Sequence, residues 1–110
     1  MKTINILVED WQYQCCGSNF SVGDKVGWRV TDIKEAGYAN LDIDNLVYLY
    51  EECALGKDYI SGIIKKIVLY KRLDDIAYEK IEKKEEYNSS DELAKNNKGY
   101  YMLVTLEVED

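Results

Sequence analysis

The strongest constraint on this chain is an alternation of period two. In Lys25-Val26-Gly27-Trp28-Arg29-Val30-Thr31, Val26, Trp28 and Val30 share one face. Lys25, Gly27, Arg29 and Thr31 share the other. Successive side chains of a strand point to opposite sides, so this pattern predicts a strand with one covered face and one solvated face. Three further segments read the same way. Ile4, Ile6 and Val8 open a strand running from about Thr3 to Gln14, and Tyr100, Met102, Val104, Leu106 and Val108 line one face of a last strand. Tyr59 to Leu73 is a long strand with apolar residues on both faces: Ile63, Ile67, Leu69 and Leu73 on one, Ile60, Ile64 and Val68 on the other. Such a strand bends from one sheet to another, and Gly62 is the expected bend.

Residues 41–55 change period. Ile43, Leu46, Val47, Tyr50 and Ala54 fall at helical spacing, with Asp42 as N-cap and Gly56 as C-cap. The segment from Asp74 to Lys98 carries eight acidic residues against five lysines. Leu73, Ile76, Ala77 and Ile81 are helically spaced, and Asn88-Ser89-Ser90 interrupts the pattern. It reads as a charged, mobile, partly helical excursion over 74–98. The expected architecture is mainly β with one helix: a single domain over 1–110, a small, strongly bent SH3-like or OB-like barrel of about five strands, with a helix near 43–54.

Composition narrows the class. The 110 residues match one ordinary domain, and the chain has no proline, so its turns rest on Gly, Asn, Asp and Ser. No apolar run approaches a membrane span, and the N-terminus does not resemble a secretory signal. Three cysteines do not make a paired disulfide framework, which points to reduced thiols and the cytoplasm. The net charge of −7 disfavours nucleic acid. Locally, Lys57, Lys65, Lys66, Lys71 and Arg72 form a basic ribbon against Asp58 alone, the one feature that suits an anionic ligand. Solvated strand faces explain it as well.

Between the first two strands lies Asp10-Trp11-Gln12-Tyr13-Gln14-Cys15-Cys16-Gly17, followed by Phe20-Ser21-Val22-Gly23-Asp24-Lys25-Val26-Gly27-Trp28. This pair of motifs resembles a family of small bacterial proteins known only as a domain of unknown function. Its members share an Asp-Trp-Gln-x-x-Cys-Cys-Gly run, then Phe-x-Val-Gly-Asp-x-Val-x-Trp. The resemblance implies a family but no activity, cofactor or catalytic residue.

Physical reading of the motif residues gives two functional candidates. Ten tyrosines and two tryptophans exceed what one small core can hide. Trp11, Gln12, Tyr13 and Gln14, with Cys15 and Cys16, would form a surface of aromatic, amide and thiol groups suited to a protein partner or a second copy of the chain. The alternative is a metal- or thiol-dependent protein using Cys15, Cys16 and Cys53, with Asp10 as a further ligand. Adjacent cysteines diverge and chelate poorly, and the absence of histidine removes the usual thiol base. Glu9 and Asp10 are neighbouring carboxylates, but strand geometry points them to opposite faces. No catalytic residue, metal ligand set or cofactor site is assigned from the sequence. The Gly23-Asp24 step reads as structural: a positive φ at Gly23, a capping carboxylate at Asp24, and Val26 opening the inward face. Trp28 reads as core.

Overall fold

The computed structural model describes residues 2–9, 19–36, 43, 45–51, 57–72, 81–90 and 100–109; for 71–72, 81–85 and 100 only the backbone is described. The regular elements of this part are all strands: β1 Lys2–Glu9, β2 Lys25–Asp32, β3 Leu46–Tyr50, β4 Asp58–Arg72, β5 Ile81–Tyr87 and β6 Tyr100–Val108. No helix among the described residues is long and apolar enough to cross a membrane. The protein is mainly β.

The sheet closes into a ring of five strands. Its order is β2-β3-β1-β6-β4, and β4 pairs back onto β2. Every pairing is antiparallel except β1 with β3. β5 lies outside the ring on β4. β4 can hold three neighbours because it is 15 residues long. Its first half pairs with β2 and its second half with β5, while β6 takes the opposite edge from Ile63 onward.

The alternation in the sequence becomes the inner face of this ring. Ile4, Ile6 and Val8 of β1, Trp28 and Val30 of β2, and Met102, Val104, Leu106 and Val108 of β6 form one buried cluster with Phe20, Tyr50, Ile64, Ile67 and Leu69. Trp28 sits in it edge-on to both Phe20 and Tyr50, with ring centroids 5.0 and 5.2 Å away. Such edge-to-face pairs add to the burial of the rings themselves. A second cluster lies on the outer face: Leu7, Leu49, Val68, Tyr101 and Leu103, capped by Ile33 after β2. On the same face as the outer cluster, across the β1–β6 ladder, Thr105 donates its hydroxyl hydrogen to the Asn5 side-chain oxygen at 2.5 Å.

Three expectations are corrected. Over Leu46–Tyr50 the predicted helix near 43–54 is the strand β3; Asp42, Cys53, Ala54 and Gly56 lie outside the described residues. The reason is apolar packing on both faces. Tyr48 and Tyr50 join the inner cluster while Leu46 and Leu49 join the outer one, and β3 skips a residue against β1 between Asn5 and Ile6. A short run that is apolar throughout loses its alternation and mimics helical spacing. Asn45, at φ 54, turns the chain into β3, a left-handed conformation that Asn tolerates.

The second correction concerns β4. Ile60 and Ile64 face inward at even positions, whereas Ile67 and Leu69 face inward at odd ones. A bulge between Ile64 and Lys66 inserts one residue and flips the faces. At Gly62, the expected bend, the structure shows a close approach of two strands. A Cβ there would lie 2.6 Å from the Glu107 carbonyl oxygen, so only glycine allows β4 and β6 to approach this closely.

The third correction is β5. Ile81–Tyr87, read within a partly helical excursion, is a strand on the sheet's edge. Only Ile81 and Tyr87 of its seven residues are apolar. Heavily charged strands suit an edge, where they discourage pairing with other chains, but they carry no hydrophobic period to read.

Candidate functional site

The turn before β2 anchors the site. Gly23 has φ +97, which an L side chain rarely adopts. The Asp24 amide donates to the Ser21 carbonyl at 3.0 Å, and the Ser21 amide donates to the Asp24 carboxylate at 2.8 Å. These features make a turn with Gly at its third position. The turn docks on β4: the Gly23 amide donates to the Ile64 carbonyl, and the Ile64 amide to the Asp24 carbonyl. Upstream, Ser90 bonds Phe20 twice, through its amide to the Phe20 carbonyl and through its hydroxyl from the Phe20 amide, each at 2.9 Å. The start of β2 is therefore fixed against both β4 and the end of β5.

From this anchored start, β2 presents Lys25, Gly27 and Arg29 to the outside, and β4 presents Tyr59, Ser61 and Ile63 beside them. Tyr59 is 69% exposed. It is nevertheless held in place, because its ring lies across Gly27, where a Cβ would fall on the phenolic end. An aromatic side chain thus covers the bare backbone of a strand glycine. Next to it, Tyr59 to Ile63, Glu107 to Glu109 and Lys25 line a cleft of about 400 Å³. Its apolar part is Tyr59, Ile60, Ile63 and Val108. Its polar part is the Ser61 hydroxyl, the Lys25 ammonium and the two glutamates. This set can hold an apolar side chain and hydrogen-bond a polar backbone.

The basic ribbon is matched by acids. Lys66 lies 3.1 Å from Glu86, Lys65 3.8 Å from Glu107, and Lys57 3.8 Å from Glu35. Lys71 is in register with Glu82 across the β4–β5 ladder.

The residues singled out from the sequence, Trp11, Gln12, Tyr13, Gln14, Cys15 and Cys16, lie outside the described residues, as do Asp10 and Cys53. Glu9 closes β1 as a buried residue in register with Tyr101. Trp28 is core, and Gly23 and Asp24 build a turn, as their residue types suggested. The cleft itself was not singled out. The signals for it were Gly27 on the polar face of β2 and the surplus of tyrosines, but nothing in the sequence placed Tyr59 against Gly27.

The family described as a family of unknown function (DUF6578) matches residues 2–108. The chain belongs to this family. That span takes in every strand of the ring and both halves of the N-terminal motif. Neither the curated proteins nor the solved structures contain a match to the chain.

Proposed function

We propose that this DUF6578 protein is a non-catalytic binding module, a small acidic cytoplasmic β domain of the SH3-like kind that takes a protein partner or a second copy of itself. The observation that carries this reading is Tyr59, a large aromatic ring exposed at 69% yet seated across Gly27 at the edge of the cleft. Aromatic residues and Arg are enriched in protein interfaces, and a ring already fixed in the free protein loses little freedom on binding. Arg29 stands opposite Tyr59 in the β2–β4 register, and Ile63, 38% exposed, extends the apolar surface. The acid partners of Lys57, Lys65 and Lys66 disfavour a phosphate-binding ribbon. Trp11 to Cys16 are proposed as further contacts.

Size-exclusion with light scattering, together with quantitative capture from a cell lysate, tests the reading against a Tyr59→Ala, Ile63→Ser variant. Self-association or capture that falls in the folded variant is the expected result. A monomer that captures the same proteins in the same amounts with and without the two substitutions would remove this surface from the function.

A further inference from the structure

The outward positions along the β2–β4 ladder carry hydrogen-bond donors and no acid. Lys25 stands opposite Ile63, Gly27 opposite Ser61 and Arg29 opposite Tyr59, and all six residues are exposed. Gly27 has no side chain, and the phenolic end of Tyr59 fills the space that a Cβ there would take. The phenol therefore sits in the middle of the β2 row. Lys25 and Arg29 flank it, each two residues and about 7 Å along the strand from Gly27. Ser61 adds a hydroxyl from the neighbouring strand, about 5 Å away at the backbone. Lysine and arginine side chains only donate, and the phenol and the hydroxyl each have one hydrogen to give. Lys57, Lys65 and Lys66 face Glu35, Glu107 and Glu86, whereas Lys25 meets no carboxylate at ion-pair distance among the described residues. The Arg29 guanidinium has five N–H donors and can serve two acceptors at once.

We infer that this row recognises a carboxylate: the partner presents a short segment in which an Asp or Glu side chain meets the Tyr59 phenol between Lys25 and Arg29, and a nearby apolar side chain enters the cleft. This rests on the binding reading above and specifies the partner's chemistry. Charge complementarity carries it, because the ladder's outward charges are both positive on a chain of net charge −7. Hydrogen bonds to an ionised acceptor are the stronger kind, and a planar guanidinium suits a carboxylate. The same net charge opposes a polyanion such as nucleic acid, whose many phosphates would meet the surrounding acids. The apolar side chain is placed by the cleft, where Tyr59, Ile60, Ile63 and Val108 offer contact. Ile63 lies two residues from Ser61, so the apolar residue falls within about two positions of the acid in an extended segment. Glu107 and Glu109 stand on the β6 side of the cleft, which keeps the partner's carboxylate to the β2 side.

The test uses linear dodecapeptides from a displayed random library, selected on the full chain and resynthesised with a fluorophore. Asp or Glu is expected to be enriched within two positions of an apolar residue. Replacing that acid by its amide weakens binding about tenfold. Tyr59→Phe, which keeps the ring and removes the donor, and Lys25→Gln each weaken the acidic peptide by a similar factor. The amide peptide is indifferent to both substitutions, which couples the carboxylate to these two groups. Thermal midpoints report that each variant is folded. Peptides that lose binding to Tyr59→Ala, Ile63→Ser but keep it to Tyr59→Phe and Lys25→Gln would overturn carboxylate recognition and leave the binding surface standing. Displacement of the peptides by a single-stranded oligonucleotide, lost in Lys25→Gln, would overturn it in favour of phosphate. A selection that yields no binder would overturn it too, while capture sensitive to Tyr59→Ala, Ile63→Ser still upheld the binding reading. Peptides that bind the Tyr59→Ala, Ile63→Ser variant as well as the natural chain would overturn both.

Discussion

The two halves of β4 belong to one strand but live in different environments. From Ile64 to Leu69 it has β6 on one edge and, on the other, the turn before β2 at Ile64 and β5 from Ile67, and Ile64, Ile67, Val68 and Leu69 are buried. From Asp58 to Ile63 it has β2 on one edge and, on the other, the cleft with the end of β6 at Ile63, and Tyr59 and Ile63 face solvent. Isoleucine content does not separate the halves, since each contains two, three positions apart. Neighbours do. The bulge at Ile64–Lys66 turns the second half's large side chains into both clusters, and Gly62 lets the first half approach the Glu107 carbonyl at the end of β6. One half is enclosed and the other exposes Tyr59 and Ile63.

Four measurements would break or sharpen this contrast. The largest effect is expected in the enclosed half. Ile67→Ala empties a fully buried position of the inner cluster and should lower stability by about 2–5 kcal/mol in urea unfolding. A loss well under 1 kcal/mol would mean that the second half is not the better packed one. At the junction, Gly62→Ala brings a methyl group against the Glu107 carbonyl, which is backbone and cannot rotate aside. The expected cost is about 1–3 kcal/mol, read as a lower thermal midpoint. An unchanged midpoint would show that the halves are not joined by a close approach.

Smaller effects follow on the surface. The Lys66–Glu86 pair fastens β4 to the end of β5, but both side chains are about half exposed. A double-mutant cycle with Lys66→Ala and Glu86→Ala should yield a coupling of about 0.2–1 kcal/mol that shrinks with added salt. The smallest change in stability is expected at Gly27→Ala. Its methyl group displaces the movable end of the Tyr59 side chain rather than any backbone. Stability should stay within about 0.5 kcal/mol, because the site is an exposed strand position. Partner capture should nevertheless fall as far as it does for Tyr59→Ala. If Gly27→Ala unfolds the protein instead, the first half of β4 is scaffold too, and the contrast between the halves fails.

Four strands were legible in the residues: β2 and β6 almost to their ends, β4 within one residue at each end, and the described part of β1. Each alternates strongly enough, or runs long enough, for the period to show. β3 was read as helix because Leu46 to Tyr50 is apolar throughout, packs on both sides and has no alternation to display. β5 was missed because an edge strand rich in Glu and Lys displays no apolar period. The site was less legible than the fold. Conspicuous types such as Trp11, Cys15 and Cys16 drew the reading, whereas the cleft is built from a glycine, a tyrosine and the end of a neighbouring strand. None of these is distinctive alone.

By itself, then, the amino-acid sequence determined what short-range chemistry can encode: strand periods, the turn at Gly23-Asp24, the core place of Trp28 and the membership implied by the N-terminal motif. Only the tertiary structure decided that β4 carries three neighbours, that its inward face switches at Ile64–Lys66, that β1 and β3 run parallel, and that Tyr59 rests on Gly27 beside a cleft. The physical reason is separation along the chain. A residue's own type sets its preference for a strand or a turn, but which strand it meets depends on partners tens of residues away, selected by how all the apolar faces can be buried at once.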